Sequence, residues 1–204
     1  MTPGFPSIRR EAVPWSKAQA DGYLAAAAVG VLAGIVVAYS RMPLHLPGHK
    51  ALWWIPPVLA ARLLTGRRAG ASVGALATIA TTLSLGGRLA GGALAMPLVV
   101  LAGAILDVAV FFVQNRATEK WRVLLLLSSA AAAANLVCFV KRLWEPIGPF
   151  FSTSNIEDVS RVAVSYAVFG FIAGALGMAL ASAVMRICTA DRRESASSPA
   201  RRAR

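Results

Sequence analysis

Cysteine, histidine and acidic residues are scarce in this 204-residue chain, which has two cysteines, two histidines and nine aspartates and glutamates. Two histidines alone make an incomplete site for a transition metal, since structural sites usually use four protein ligands. The sequences GxxxxGK[ST], HExxH and CxxC are all absent. We therefore predict neither an enzyme, nor a bound cofactor, nor a metal centre.

The two cysteines lie near the ends of two different apolar stretches. Cys138 is near the end of the fifth stretch and Cys188 is near the end of the sixth. If both stretches cross a membrane as antiparallel neighbours, these ends lie on opposite sides, which is too far apart for a disulfide. We interpret both thiols as packing residues in apolar helices.

Charged residues make up only 15% of the chain, whereas apolar residues make up 57%. The charges form short clusters between apolar runs of about 17–25 residues, the length that an α-helix needs to cross a bilayer. Helices must then dominate, because a bilayer offers no partner to unpaired backbone groups. We predict an all-α polytopic membrane protein with a six-transmembrane-helix bundle. The predicted spans are about Tyr23–Tyr39, Ala51–Leu64, Ala69–Leu85, Leu89–Val113, Arg122–Val140 and Val162–Ile187.

The basic residues predict how the chain is oriented. Fifteen of the 21 lysines and arginines lie on the side of both termini and six on the other side, so both termini are expected in the cytoplasm, in a bacterial inner membrane. The net charge of +12 then reflects contact with anionic lipid, not with nucleic acid. We divide the chain into a cytoplasmic extension (1–21), a membrane domain (22–188) and a disordered basic tail (189–204).

The first span carries a stripe of small residues spaced by four, namely Ala26, Gly30, Gly34 and Ala38. Such a stripe occupies one helix face and allows another helix backbone to approach closely. The alternative is a signal peptide cleaved near Ala38 or Ser40. We favour a retained helix, because a discarded signal would not need a docking face.

The segment Arg41–Lys50 between the first two spans contains both histidines, two prolines and a glycine. We predict that this segment, the hinge, is a lid over a ligand site at the outer face. His45 and His49 are four residues apart, which in a helix would suit a metal, but Pro47 and Gly48 disfavour a helix there. The histidines are therefore interpreted as ligand contacts or metal ligands or, most simply, as parts of a solvated loop.

Aromatic and basic residues surround this segment. Trp53 and Trp54 are either an interfacial aromatic belt or, since adjacent side chains of a helix point about 100° apart, one lipid anchor and one ring that stacks on a ligand. Lys50, Arg88 and Arg41 would attract an anionic or polar ligand.

Polar residues inside the apolar spans are the remaining candidates. Asn135, Ser165 and Tyr166 lie toward the outer halves of their spans, where they either line a pocket or form interhelical hydrogen bonds. Asp107 is an acidic residue within a span, which is costly unless it is paired or faces a polar cavity. Either it serves transport, or it pairs with Arg62 or Arg122 as a structural partner.

Together, the six spans, the inner termini, the small-residue first helix and the long outer first loop resemble the substrate-binding S components of energy-coupling-factor transporters. The segment Leu63–Leu76 is similar to the family's turn between its second and third helices. The resemblance covers roughly residues 22–187.

This resemblance implies a membrane domain that binds a vitamin, a precursor or a metal ion from outside. It also implies docking of Ala26, Gly30, Gly34 and Ala38 on a transmembrane coupling subunit, which two separate cytoplasmic ATPases drive. The metal-specific branch uses a histidine close to its own N-terminus, whereas this chain begins with a polar extension, so a vitamin or precursor is the expected ligand. The alternatives are a structural subunit without a solute and a membrane enzyme that acts on lipid.

Overall fold

The computed structural model describes residues 17–40, 46–87, 89, 95–115, 119–144 and 156–197. Within these ranges the regular structure is entirely helical, which confirms the predicted all-α fold. The helices of the described residues are α1 (Lys17–Tyr39), α2 (Ala51–Thr65), α3 (Gly70–Ser84), α4 (Met96–Asn115), α5 (Lys120–Trp144) and α6 (Ile156–Ser197).

Four of the described helices, α1, α4, α5 and α6, are long and apolar enough to cross a membrane. The other two, α2 and α3, have 15 residues each. At 1.5 Å per residue each is about 22 Å long, which is shorter than the hydrocarbon core of about 30 Å. The structure therefore establishes a helical chain with four candidate spans, and six crossings stay a prediction.

Several helix boundaries differ from the predicted ones, and α1 begins at Lys17 and α6 at Ile156, each six residues before its predicted span. The fourth span was expected from Leu89, but α4 begins at Met96, and its second residue is Pro97, which suits the first turn of a helix. α5 continues to Trp144, so Lys141, expected in a connector, lies in the helix and is buried. α6 is 42 residues long, and the first nine residues of the predicted disordered tail are helical. No proline or glycine interrupts 188–197, which explains the extension.

Neighbouring helices contact one another in the cyclic order α1, α3, α4, α5, α6 and α2, with α2 also touching α3 and α4. Nine of the 15 residues of α2 are buried, so this helix contributes strongly to the core. We call the end of the bundle that holds residues 46–50 the outer end. The end that holds the turn 66–69 is the inner end.

The small-residue stripe of α1 packs against α3 inside the chain. A Cβ added to Gly34 would lie 2.7 Å from the Thr78 carbonyl oxygen, and one added to Gly30 would meet the Gly74 carbonyl. Thr78 Oγ1 lies 3.0 Å from the Gly30 carbonyl oxygen and Thr82 Oγ1 3.2 Å from the Gly34 carbonyl oxygen. Each hydroxyl shares its proton with a carbonyl four residues earlier in α3, at 2.8 Å. Backbones therefore approach closely here, as small residues permit.

This packing corrects the prediction that the stripe docks on a partner. Ala26, Gly30 and Gly34 are buried and Ala38 is partly buried. A docking surface must be accessible, and this surface is already covered by α3. Close packing was the correct expectation, but the helix that approaches belongs to the same chain.

Candidate functional site

The described part of the hinge, residues 46–50, forms a turn that leads directly into α2. Ala51, Leu52 and Trp53 donate their backbone N–H groups to the carbonyls of Gly48, His49 and Lys50, each at 3.1 Å. Gly48 has φ of 81°, a left-handed conformation that glycine adopts without steric cost. The turn thus continues into the first turn of the helix, and this continuity fixes its position.

Two polar side chains attach this turn to α5 and α6. The buried Asn135 donates through Nδ2 to the Gly48 carbonyl at 3.3 Å and to the Tyr166 carbonyl at 2.8 Å. Ser165 Oγ donates to the Pro47 carbonyl at 2.7 Å. Residues far apart in the sequence are thereby held together at the outer end.

Tyr166 lies beneath the turn. A Cβ added to Gly48 would lie 2.9 Å from both Cα and Cγ of Tyr166, so only glycine fits at this contact. The Tyr166 ring packs against Phe139 with ring centroids 5.5 Å apart. The predicted site residues Asn135 and Tyr166 therefore do meet the hinge, and they do so through its backbone.

The predicted basic and imidazole contacts are only partly described. His49 is partly exposed, and its Nδ1 lies 2.5 Å from the Leu46 carbonyl oxygen. That contact requires a proton on Nδ1, so in the neutral ring Nε2 is an acceptor. Lys50 is partly buried. His45 and Arg88 lie outside the described residues.

The two tryptophans have different environments. Trp54 is only 1% exposed and belongs to the same core cluster as Phe139 and Tyr166. Its ring therefore neither anchors in lipid nor faces an open site, and the predicted ligand contact through Trp54 is corrected to core packing. Trp53 is partly exposed at the edge of this cluster, so it is the ring that stays available to a ligand.

Asp107 lies in a second polar cluster toward the inner end. Its Oδ1 accepts from Arg62 Nε at 2.8 Å and from the Ala71 backbone N–H at 3.0 Å. Its Oδ2 accepts from the backbone N–H and the hydroxyl of Ser72 at 2.8 and 2.7 Å. One carboxylate thus joins the end of α2 to the start of α3 and neutralises the positive N-terminal end of the α3 dipole.

These contacts favour the structural interpretation of Asp107. Of the two arginines proposed as its partner, the structure selects Arg62, whereas Arg122 is exposed and lies 3.4 Å from Glu119. Sequence reasoning missed Ser72, because nothing in the sequence indicates that the first turn of α3 faces α4. Among the described side chains, Arg62 also has a buried Nη1 with no hydrogen-bond partner.

An open groove of about 540 Å³ lies between α3 and α4. Its lining is apolar, so it suits lipid chains better than a polar solute. The lining residues are Leu76, Met96, Pro97, Val100, Leu101 and Ala104. Within the described ranges, no three histidine, cysteine or acidic side chains come together as metal ligands.

The outer turn and its contacts on α5 and α6 therefore form the candidate site. Comparison of the chain with protein-family models, with curated proteins and with solved structures finds no match.

Proposed function

We propose that the chain is the membrane-embedded substrate-binding subunit of an ATP-driven importer of a micronutrient, either a vitamin or a precursor. The observation that carries this proposal is the attachment of hinge residues 46–50 to α5 and α6. Asn135 and Ser165 reach the carbonyls of Gly48 and Pro47 across 87 and 118 residues of sequence. A segment held in this way acts as a lid over the outer end.

The contacts of the lid are suited to opening. Each hydrogen bond of this kind contributes about 1 kcal/mol net, so a few of them favour closure without preventing release. The lid is held through its backbone carbonyls and by one ring contact, while the described side chains of His49 and Trp53 stay partly exposed. A solute that enters when the lid moves away from Tyr166 therefore meets polar and aromatic groups, as is common in small-molecule sites.

The proposed topology places all six helices across the inner membrane, with both termini in the cytoplasm. Although α2 and α3 are short, α2 is mostly buried and α3 packs against α1 and α4. Neighbouring helices can therefore shield their ends from lipid. Four crossings by the longer helices and two by the α2–α3 pair give an even number, which keeps the two termini on one side.

The proposed partners are a transmembrane coupling subunit and two cytoplasmic ATPases, all on separate chains. Because the small-residue stripe of α1 is covered by α3, docking has to use the opposite face of α1. That face exposes large apolar side chains of Leu24, Leu32, Val36 and Tyr39. We therefore assign it, and not the stripe, to the coupling subunit.

The packing of the glycines disfavours the hypothesis of a purely structural subunit. That hypothesis requires glycine faces that pack on partner helices. Instead, these glycines pack on helices of the same chain. The contacts are those of Gly30, Gly34 and Gly103 with α3, and those of Gly170 and Gly174 with α5. The close-packing faces are used within the chain.

Native mass spectrometry of the chain purified gently from its own membranes tests the proposed function. We expect a bound small molecule, together with co-purifying coupling and ATPase chains. A chain that carries only bilayer lipid and associates with neither partner would exclude an importer subunit.

A further inference from the structure

Two adjacent prolines lie inside α2, at positions 56 and 57, and the helix continues through both from Ala51 to Thr65. Proline has no backbone N–H, so each one deprives a carbonyl four residues earlier of its helical donor. The carbonyls affected are those of Leu52 and Trp53. Both lie in the first turn after the hinge.

The Trp53 carbonyl is affected most. Its α-helical donor would be residue 57 and its 3₁₀ donor would be residue 56, and both are prolines. Leu52 differs, because Ile55 keeps an N–H that can reach its carbonyl in 3₁₀ geometry. The backbone of α2 therefore has no N–H in either helical register for the Trp53 oxygen.

This carbonyl lies close to the candidate site. The Trp53 N–H donates to the Lys50 carbonyl at 3.1 Å, so Trp53 directly follows the lid turn. Trp53 and Pro57, one turn apart, are only partly buried, whereas Trp54 and Pro56 beside them are buried. The residue that carries this oxygen thus lies on the less buried face of α2.

Two other groups near the lid are also hydrogen-bond acceptors. The Asn135 amide nitrogen already donates to two carbonyls, which leaves its Oδ1 as an acceptor. His49 Nδ1 faces the Leu46 carbonyl, which leaves Nε2 as an acceptor in the neutral ring. These two groups offer acceptors, whereas the Trp53 indole N–H is a donor, so a complementary solute has to bring at least one donor.

We propose that the Trp53 carbonyl is a hydrogen-bond acceptor of the ligand site, and that the bound molecule is a small polar compound that presents an N–H or O–H donor to it. The inference rests on the importer function proposed above. It names the chemistry of the solute and a binding group that side-chain patterns do not reveal, because the group is a backbone carbonyl exposed by two prolines.

The test uses the small molecule that co-purifies with the full chain, extracted and then added back to protein freed of it. Pro57→Ala supplies an N–H directed at the Trp53 carbonyl. We expect the extracted molecule to bind about tenfold more weakly, the equivalent of one hydrogen bond, while the melting temperature is unchanged or higher.

Two matched variants separate this effect from a general loss of proline. Pro56→Ala directs its new N–H at Leu52, so we expect a smaller loss of binding. Pro97→Ala lies in the first turn of α4, where N–H groups have no helical acceptor, so binding is expected to be unchanged.

Mass spectrometry of the extracted molecule in D₂O counts its exchangeable hydrogens, which requires no variant. At least one N–H or O–H is expected, and a molecule without any would overturn the inference. Equal binding by wild type and a folded Pro57→Ala variant would also overturn it while leaving the importer function intact. A wild-type chain with no small molecule and no importer partners would overturn both.

Discussion

At the scale of single residues, Asp107 shows how one buried charge can organise a membrane protein. Its carboxylate oxygens accept four hydrogen bonds, from Arg62, Ala71 and Ser72. An acidic residue inside a span is costly unless it is compensated, and here the compensation is nearly complete. The charge therefore positions the inner ends of α2 and α3 against α4.

We expect Asp107→Asn to destabilise the protein strongly. The substitution leaves the Arg62 guanidinium buried without a counter-charge, and breaking such a pair costs about 3–5 kcal/mol. Thermal unfolding in detergent measures the loss. Glu119→Gln removes the carboxylate of an exposed ion pair and serves as the control, with little effect expected. Equal melting temperatures for the two variants would contradict the structural role.

Gly48 is a second residue whose identity is dictated by its surroundings. We expect Gly48→Ala to lower the melting temperature and to weaken small-molecule binding. An alanine at this position would have to adopt a left-handed φ of 81°, and its Cβ would collide with Tyr166. Gly66→Ala is the matched control, since Gly66 has φ of 65° but no atom within 4 Å of an added Cβ. If Gly66→Ala were equally damaging, the contact with Tyr166 would contribute nothing.

At the scale of elements, the α1–α3 pair illustrates close backbone packing. Glycines on α1 let it approach α3, and the hydroxyls of Thr78 and Thr82 lie between carbonyls of α3 and carbonyls of α1, sharing their protons between the two. In lipid, association of helices depends on such packing and hydrogen bonding, because lipid chains are as apolar as the side chains. This pair is therefore held by shape and not by the exclusion of water.

We expect Gly30→Ala to destabilise the isolated chain more than Ala28→Leu does. The first variant adds one carbon against the Gly74 carbonyl, whereas the second adds three carbons at an exposed position of the same helix. Overpacking of a close contact typically costs about 1–3 kcal/mol. Thermal unfolding without any partner present measures both. A Gly30→Ala variant that is stable alone and fails only to bind a coupling subunit would restore the docking role of the stripe.

At the scale of the whole molecule, the helices alternate in direction from α1 to α6, so the start of α1 and the end of α6 lie at the same end. The length of α6, about 63 Å, exceeds the hydrocarbon thickness of about 30 Å. In the proposed topology, part of α6 therefore extends beyond the bilayer. Arg186, Ile187 and Cys188, near that end, are exposed.

The two native cysteines test the proposed topology. Cys188 is exposed and Cys138 is buried. With cytoplasmic termini, a membrane-impermeant maleimide should label Cys188 in inverted vesicles but not in intact cells. Cys138 should react only after unfolding. Labelling of Cys188 from outside intact cells would reverse the orientation, and rapid labelling of Cys138 in the folded chain would contradict its burial.

The amino-acid sequence by itself determined the membrane class, the helical fold and the approximate extent of α2 and α3. These features depend on the length of apolar runs and on local turn residues such as Gly66, and both are local properties of the chain. The sequence also indicated that Asp107 needs compensation and that Asn135 and Tyr166 lie toward the outer end. Those inferences required only the position of each residue along its predicted span.

Only the tertiary structure decided which face of each helix meets which neighbour. In a membrane both the core and the lipid are apolar, so the pattern of apolar residues does not specify rotation about the helix axis. For this reason the stripe of α1 was assigned to a partner instead of to α3. For the same reason the sequence did not show which of Trp53 and Trp54 is buried. The rotation of each helix about its own axis, which the sequence does not specify, also decided that Arg62 and not Arg122 pairs with Asp107. It likewise placed Ser72 beside Asp107.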